Sequence, residues 1–83
     1  KDNEMSLYNF KLVGVISGNL DSYVSLVNAT GEIVTLQLFE NLNEDTRLVD
    51  MSFTEAVFQK NDGKYLIINF KNQILEKDDY VQY

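Results

Sequence analysis

Short apolar runs rich in Val, Ile, Leu and aromatic residues, broken at close intervals by Gly, Asn and Asp, most narrow the folds open to this chain. Runs this short make marginal helices but suit half-buried strands, and the residues between them supply the backbone freedom that tight reversals need. The pattern predicts an all-β domain. Residues 10–17 form a first strand ending at Gly18-Asn19-Leu20-Asp21, where Gly and Asn tolerate positive φ. Residues 23–28 and 32–38 follow, joined through Asn28-Ala29-Thr30-Gly31 with Gly31 suited to a left-handed position, which makes a three-stranded meander. Residues 39–45 place Glu40, Asn41, Asn43, Glu44 and Asp45 around a buried-looking Leu42 and read as a loop or short turn. Residues 47–53, 56–60 and 64–70 make a second meander, in which Asn61-Asp62-Gly63 is the clearest hairpin signal. The expected architecture is a small antiparallel β-sandwich or semi-barrel of two three-stranded meanders.

Residues 10–70 are expected to be the β-sandwich interaction domain, with 1–9 an N-terminal linker and 71–83 a C-terminal linker or tail, neither carrying core. A helix over 74–81 would span about two turns, too few to stand alone. With 83 residues the chain has room for one small domain of modest stability, and its start at Lys1 rather than Met suggests a piece of something longer.

Strand parity supplies a core: Val24 and Leu26; Val34, Leu36 and Leu38; Val49 and Met51; Leu66, Ile68 and Phe70, with Val57 also inward. Val13 and Val15 fit the same core from the first strand, yet its opposite face carries Phe10, Leu12 and Ile16, too apolar to sit comfortably in water. That face is either a second buried surface or a patch awaiting a partner. Gly14 inside the strand marks a bulge, a close sheet contact or the approach of a partner backbone.

Chemistry is bounded by what is missing. No His and no Cys occur, so imidazole bases, thiolate nucleophiles and soft metal ligands are absent, and neither a metal, a cofactor nor an enzyme is expected. The carboxylates Glu40, Glu44 and Asp45, and the pair Asp78-Asp79, lack the glycine-centred spacing of a calcium loop and read as solvated acidic segments. A net charge of −6 repels phosphate backbones and anionic headgroups, which disfavours nucleic acid and membrane surfaces as partners. Tyr8, Tyr23, Tyr65, Tyr80 and Tyr83 lack the basic interleaving of a nucleic-acid platform and read as sheet-face packing or interface anchors.

The succession Phe10-Lys11-Leu12-Val13-Gly14-Val15-Ile16, Ser22-Tyr23-Val24-Ser25-Leu26-Val27 and Gly31-Glu32-Ile33-Val34-Thr35-Leu36 resembles the periplasmic homology-region domain of type II secretion system protein C. Leu42, Thr46-Arg47-Leu48-Val49 and residues 57–70, with Gly63-Lys64-Tyr65 at the last hairpin, resemble its second half. The type IV pilus assembly lipoprotein PilP shares that fold and is similar. The chain departs from the family at Thr54-Glu55, which replaces a Pro-Asp turn, and at Phe39-Glu40-Asn41, where the family tends to have glycine before an acidic residue. It also lacks the Arg often found near Ser22.

The resemblance implies a periplasmic domain of an inner-membrane-anchored protein that binds the N-terminal domain of the outer-membrane secretin, beside other inner-membrane platform proteins of the same machine. Such a domain is a connector without catalysis, touching neither nucleic acid nor the membrane directly. Leu12, Gly14, Ile16, Tyr23 and Val27 are the candidate partner-binding residues, because the surplus apolar side of the first hairpin coincides with the sheet that the resemblance assigns to the secretin. An OB-like or SH3-like β-barrel binding an extended peptide or small ligand is the alternative that the strand count equally serves.

Overall fold

A computed structural model describes residues 7–78. A single 3-10 turn, Leu7–Asn9, leads into eight strands: β1 Phe10–Ser17, β2 Ser22–Asn28, β3 Ile33–Gln37, β4 Asn41–Asn43, β5 Thr46–Met51, β6 Glu55–Lys60, β7 Tyr65–Asn69 and β8 Ile74–Lys77. They form two antiparallel sheets, three strands in the order β1-β2-β3 and five in the order β4-β5-β6-β7-β8, so the domain is an all-β sandwich. The first sheet is the expected meander. The second has the three expected strands at its centre and one more at each edge. β4 occupies the segment read as loop, and β8 lies in the segment read as tail.

One loop design recurs at the hairpins. Asn28 Oδ1 accepts hydrogen bonds from the Thr30 and Glu32 N–H groups, each at 3.0 Å, while Gly31 sits at φ 92°. Asn69 Oδ1 accepts from the N–H groups of Lys71 (2.9 Å) and Gln73 (3.1 Å), with Asn72 at φ 67° in the place of Gly31. Even the outer contact repeats: Asn28 Nδ2 donates to Glu32 Oε1 and Asn69 Nδ2 to Gln73 Oε1, both at 3.0 Å. Asn is the non-glycine residue best able to adopt this left-handed position, so the second loop closes without glycine. The β6–β7 turn shares only the backbone closure: Gly63 sits at φ 92°, as Asn61-Asp62-Gly63 predicts, its N–H donates to the Lys60 carbonyl at 2.9 Å, and Asp62 Oδ1 accepts from the Lys64 N–H at 2.9 Å. Gly18 differs: its φ is not positive, but a Cβ there would lie 3.1 Å from the Asp21 carbonyl oxygen, a close approach within the β1–β2 turn.

Two β-bulges decide which side chains are inside. In β1 the register against β2 shifts between Leu12 and Gly14, leaving Val13 unpaired; in β5 it shifts between Leu48 and Asp50, leaving Val49 unpaired. An extra residue reverses the alternation beyond it. Phe10 and Leu12 therefore point into the core, Val13 is 50% exposed, and Val15 returns to pack against the core. Likewise Thr46 and Leu48 are buried, Val49 is half-buried at the bulge, and Met51 packs inward again. The expectation of Val13 and Val49 as core, with Phe10 and Leu12 on the other face, is corrected by these bulges.

The core draws Leu7, Phe10, Leu12, Val24, Leu26 and Leu36 from the first layer and Leu42, Leu48, Ala56, Phe58, Leu66 and Ile68 from the second. β1 crosses β6 and β7, where the layers meet. Burying a large aliphatic side chain contributes about 1.5–3 kcal/mol, so Leu7 (1% exposed) ties the expected linker into the fold, and Ile74 does the same from the expected tail. Neither end is wholly peripheral. Val57 is buried but belongs to the opposite side of the second sheet, paired with Ile67, because Ala56 and Phe58 take the inner positions. Phe70, expected inside, is 43% exposed just past the end of β7.

Between the sheets the chain turns a corner at Phe39, which holds φ 74°. Its N–H donates to the Leu48 carbonyl at 2.7 Å, and the Leu48 N–H donates to the Glu40 carbonyl at 2.9 Å, which brings the chain alongside β5. Arg47 Nε donates to the Phe39 carbonyl at 3.0 Å, and its guanidinium lies 5.7 Å from the Phe39 ring centroid.

Candidate partner interface

In an antiparallel sheet, directly paired residues point to the same face. Val24 and Leu26 are fully buried, so Tyr23, Ser25 and Val27 point outward from the middle strand. The pairings then lay out three rows across the outer face: Ile16, Tyr23 and Gln37; Gly14, Ser25 and Thr35; Lys11, Val27 and Ile33. Val13 joins them at the bulge, more exposed than half-buried Gly14, Ser25 and Val27 beside it.

Four of the five candidate residues, Gly14, Ile16, Tyr23 and Val27, share this face. Leu12 does not. It pairs with Leu26, is 3% exposed and belongs to the core, because the bulge that follows it turns the rest of β1 over. The sequence reading omitted Val13 and Ile33, 50% and 66% exposed on the same side. Ile33 was legible, since assigning Val34 and Leu36 to the core sends Ile33 and Thr35 outward by alternation. Val13 was not, because only the pairing with β2 reveals the bulge.

The outer and middle rows are held by side-chain contacts. Gln37 Nε2 donates to the Tyr23 hydroxyl at 3.2 Å, and the Ser25 and Thr35 hydroxyls lie 3.2 Å apart. A Cβ at Gly14 would meet only Ser25 Cβ, at an ordinary 3.7 Å, and its φ is not positive. The fold itself therefore does not demand glycine there, and the middle row is a low trough of small side chains between two taller ones. None of the ten outer-face positions is acidic, and Lys11 is the single charge among them, in a chain with thirteen acidic residues. A depression of about 470 Å³ adjoins the Lys11 and Val27 end, lined also by Tyr8, Phe10, Asn72 and Ile74.

The acidic segment between β3 and β5 serves the backbone. Glu40 Oε1 accepts from the Gln37 N–H at 2.7 Å, and Asp45 Oδ1 accepts from the Asn61 N–H at 3.1 Å. Among the described residues no group of three or more His, Cys, Asp or Glu side chains is placed to hold a metal ion. Asp79, Tyr80 and Tyr83, singled out in the sequence, lie outside the described residues. Set against protein-family models, curated proteins and solved structures, the chain matches none.

Proposed function

We propose that this domain is a protein-interaction module whose first sheet offers its outer face to a partner. The observation that carries the reading is that face: Val13, Ile16 and Ile33 are each at least half exposed around half-buried Tyr23 and Val27, with no acidic residue among them. An apolar, nearly uncharged sheet face on a strongly acidic domain is what desolvation on binding favours. The resemblance of residues 10–70 to the secretion-protein homology region supplies the partner: the N-terminal domain of an outer-membrane secretin. On this reading the domain stands in the periplasm, anchored through the rest of its protein to the inner membrane. It links a secretion or pilus assembly platform to the secretin and carries out no catalysis.

Tyr23 is the probe. Truncating a central aromatic anchor commonly costs ~2 kcal/mol of binding, roughly thirtyfold in affinity. Wild type and Tyr23→Ala, both checked as folded by circular dichroism, are titrated against a cognate secretin N-terminal domain. A loss of that order supports the assignment; equal affinities remove it.

A further inference from the structure

Among the described residues the two sheets end in four edge strands, β1, β3, β4 and β8. An edge strand presents backbone N–H and C=O groups to which a foreign strand can add, and folded proteins blunt it with charge, bulges, proline or brevity. β1 has Lys11 and the bulge at Val13. β4 is three residues long with a register shift of its own. β8 carries Glu76 and Lys77, with Glu76 3.9 Å from the Lys64 ammonium. β3 alone has none of these: its five residues, Ile-Val-Thr-Leu-Gln, contain no charge and no proline, and its register against β2 is unbroken.

Hydrogen-bond alternation identifies the open groups. The Asn28 N–H donates to the Glu32 carbonyl at 3.0 Å and the Leu38 N–H to the Ser22 carbonyl at 3.3 Å, so the bonded pairs between these ends are Leu26 with Val34 and Val24 with Leu36. Val34 and Leu36 direct their backbone groups to β2, whereas Ile33, Thr35 and Gln37 direct theirs to the free side. Gln37 is already satisfied by Glu40, whose carboxylate accepts its N–H at 2.7 Å and whose N–H donates to its carbonyl at 3.0 Å. The opening is therefore Ile33 to Thr35, both residues exposed, with Glu32 at one end and Glu40 at the other.

We infer that the β3 edge accepts an extended segment of another protein, uncharged at its centre and basic at its ends, as a fourth strand of the first sheet. The centre matches the backbone groups of Ile33 and Thr35, and the basic ends meet Glu32 and Glu40. A second copy of this chain fits poorly, because antiparallel self-pairing about Thr35 sets Ile33 of each copy against Gln37 of the other, whose outward backbone groups Glu40 already occupies, and joins two bodies of net charge −6. The inference does not depend on the secretin reading, since it concerns the edge of the sheet rather than the identity of whatever covers its face.

The test uses the 15N-labelled 83-residue chain and two end-blocked peptides, Arg-Val-Thr-Val-Thr-Arg and its counterpart with Glu at both ends, read by amide shifts and hydrogen exchange. At saturation the basic peptide slows exchange of the Ile33 and Thr35 amides about tenfold or more, leaves the already bonded Val34 and Leu36 unchanged, and the acidic peptide does neither. Thr35→Pro removes one outward N–H without touching the ladder to β2, so the variant keeps the β2 amide spectrum and loses peptide binding. If that variant misfolds, the residue-by-residue exchange of the wild type decides alone. Four results overturn the inference: unchanged Ile33 and Thr35 amides with the basic peptide in millimolar excess; an equal response to the acidic peptide; a response centred on β1 or Tyr23; or protection of the same amides in the peptide-free chain that grows with protein concentration, the mark of self-association.

Discussion

Leu48 and Val49 are adjacent in β5, and the bulge between them and β6 makes their substitutions unequal. Leu48 is 0% exposed in the core, whereas Val49 is the unpaired, half-buried residue. Leu48→Ala removes three carbons, a transfer loss of ~2.4 kcal/mol at ~0.8 kcal/mol per methylene. The cavity left among rigid neighbours raises the total to about 3–4 kcal/mol. A domain of 83 residues has about 4–12 kcal/mol of stability in all, so the variant sits near the edge of folding. Val49→Ala deletes two methyl groups already partly in water and costs about 1 kcal/mol or less. With a urea m-value of about 1 kcal/mol/M, Leu48→Ala lowers the midpoint by about 3 M and Val49→Ala by about 1 M or less. The chain has no Trp, so unfolding is followed by far-ultraviolet circular dichroism alongside tyrosine emission. Were Val49→Ala the more damaging of the two, β5 would run with unbroken alternation and the bulge would not exist.

Phe39 holds φ 74°, a conformation that costs a bulky residue about 1–3 kcal/mol and glycine almost nothing sterically. Both Phe39→Ala and Phe39→Gly lose the stacking of Arg47 on the ring and keep its bond to the residue-39 carbonyl, but only the second relieves the backbone, so Phe39→Gly should melt at the higher temperature; the reverse order in a calorimetric scan refutes strain at the corner. Gly63, at φ 92° with nothing within 4 Å of a Cβ, tests conformation without crowding: Gly63→Val should lower stability by about 1 kcal/mol or more in the same urea assay, and an unchanged midpoint refutes the turn assignment.

What the sequence by itself determined is local. Alternation and β-branched content assign six of the eight strands, β1 to β3 and β5 to β7, and Gly31 and Gly63 mark reversals because a left-handed residue is cheap only without a Cβ. The final hairpin was also within reach: Asn69-Phe70-Lys71-Asn72-Gln73 repeats the side-chain plan of Asn28-Ala29-Thr30-Gly31-Glu32, but Asn72 in the glycine position and the polar residues of β8 hid it. Only the tertiary structure decided the rest. A bulge is a property of two paired strands, so no window of β1 alone tells that Leu12 enters the core and Val13 does not. For the same reason parity along the first strand found the apolar excess but not its distribution, and it placed Leu12 with Gly14, Ile16, Tyr23 and Val27 on a face that Leu12 leaves. Edge status is equally non-local. Ile33 to Gln37 reads like any central strand, and it becomes a place where another chain can add only because the chain turns away at Phe39 to join the second sheet and leaves one side of β3 without a neighbour among the described residues.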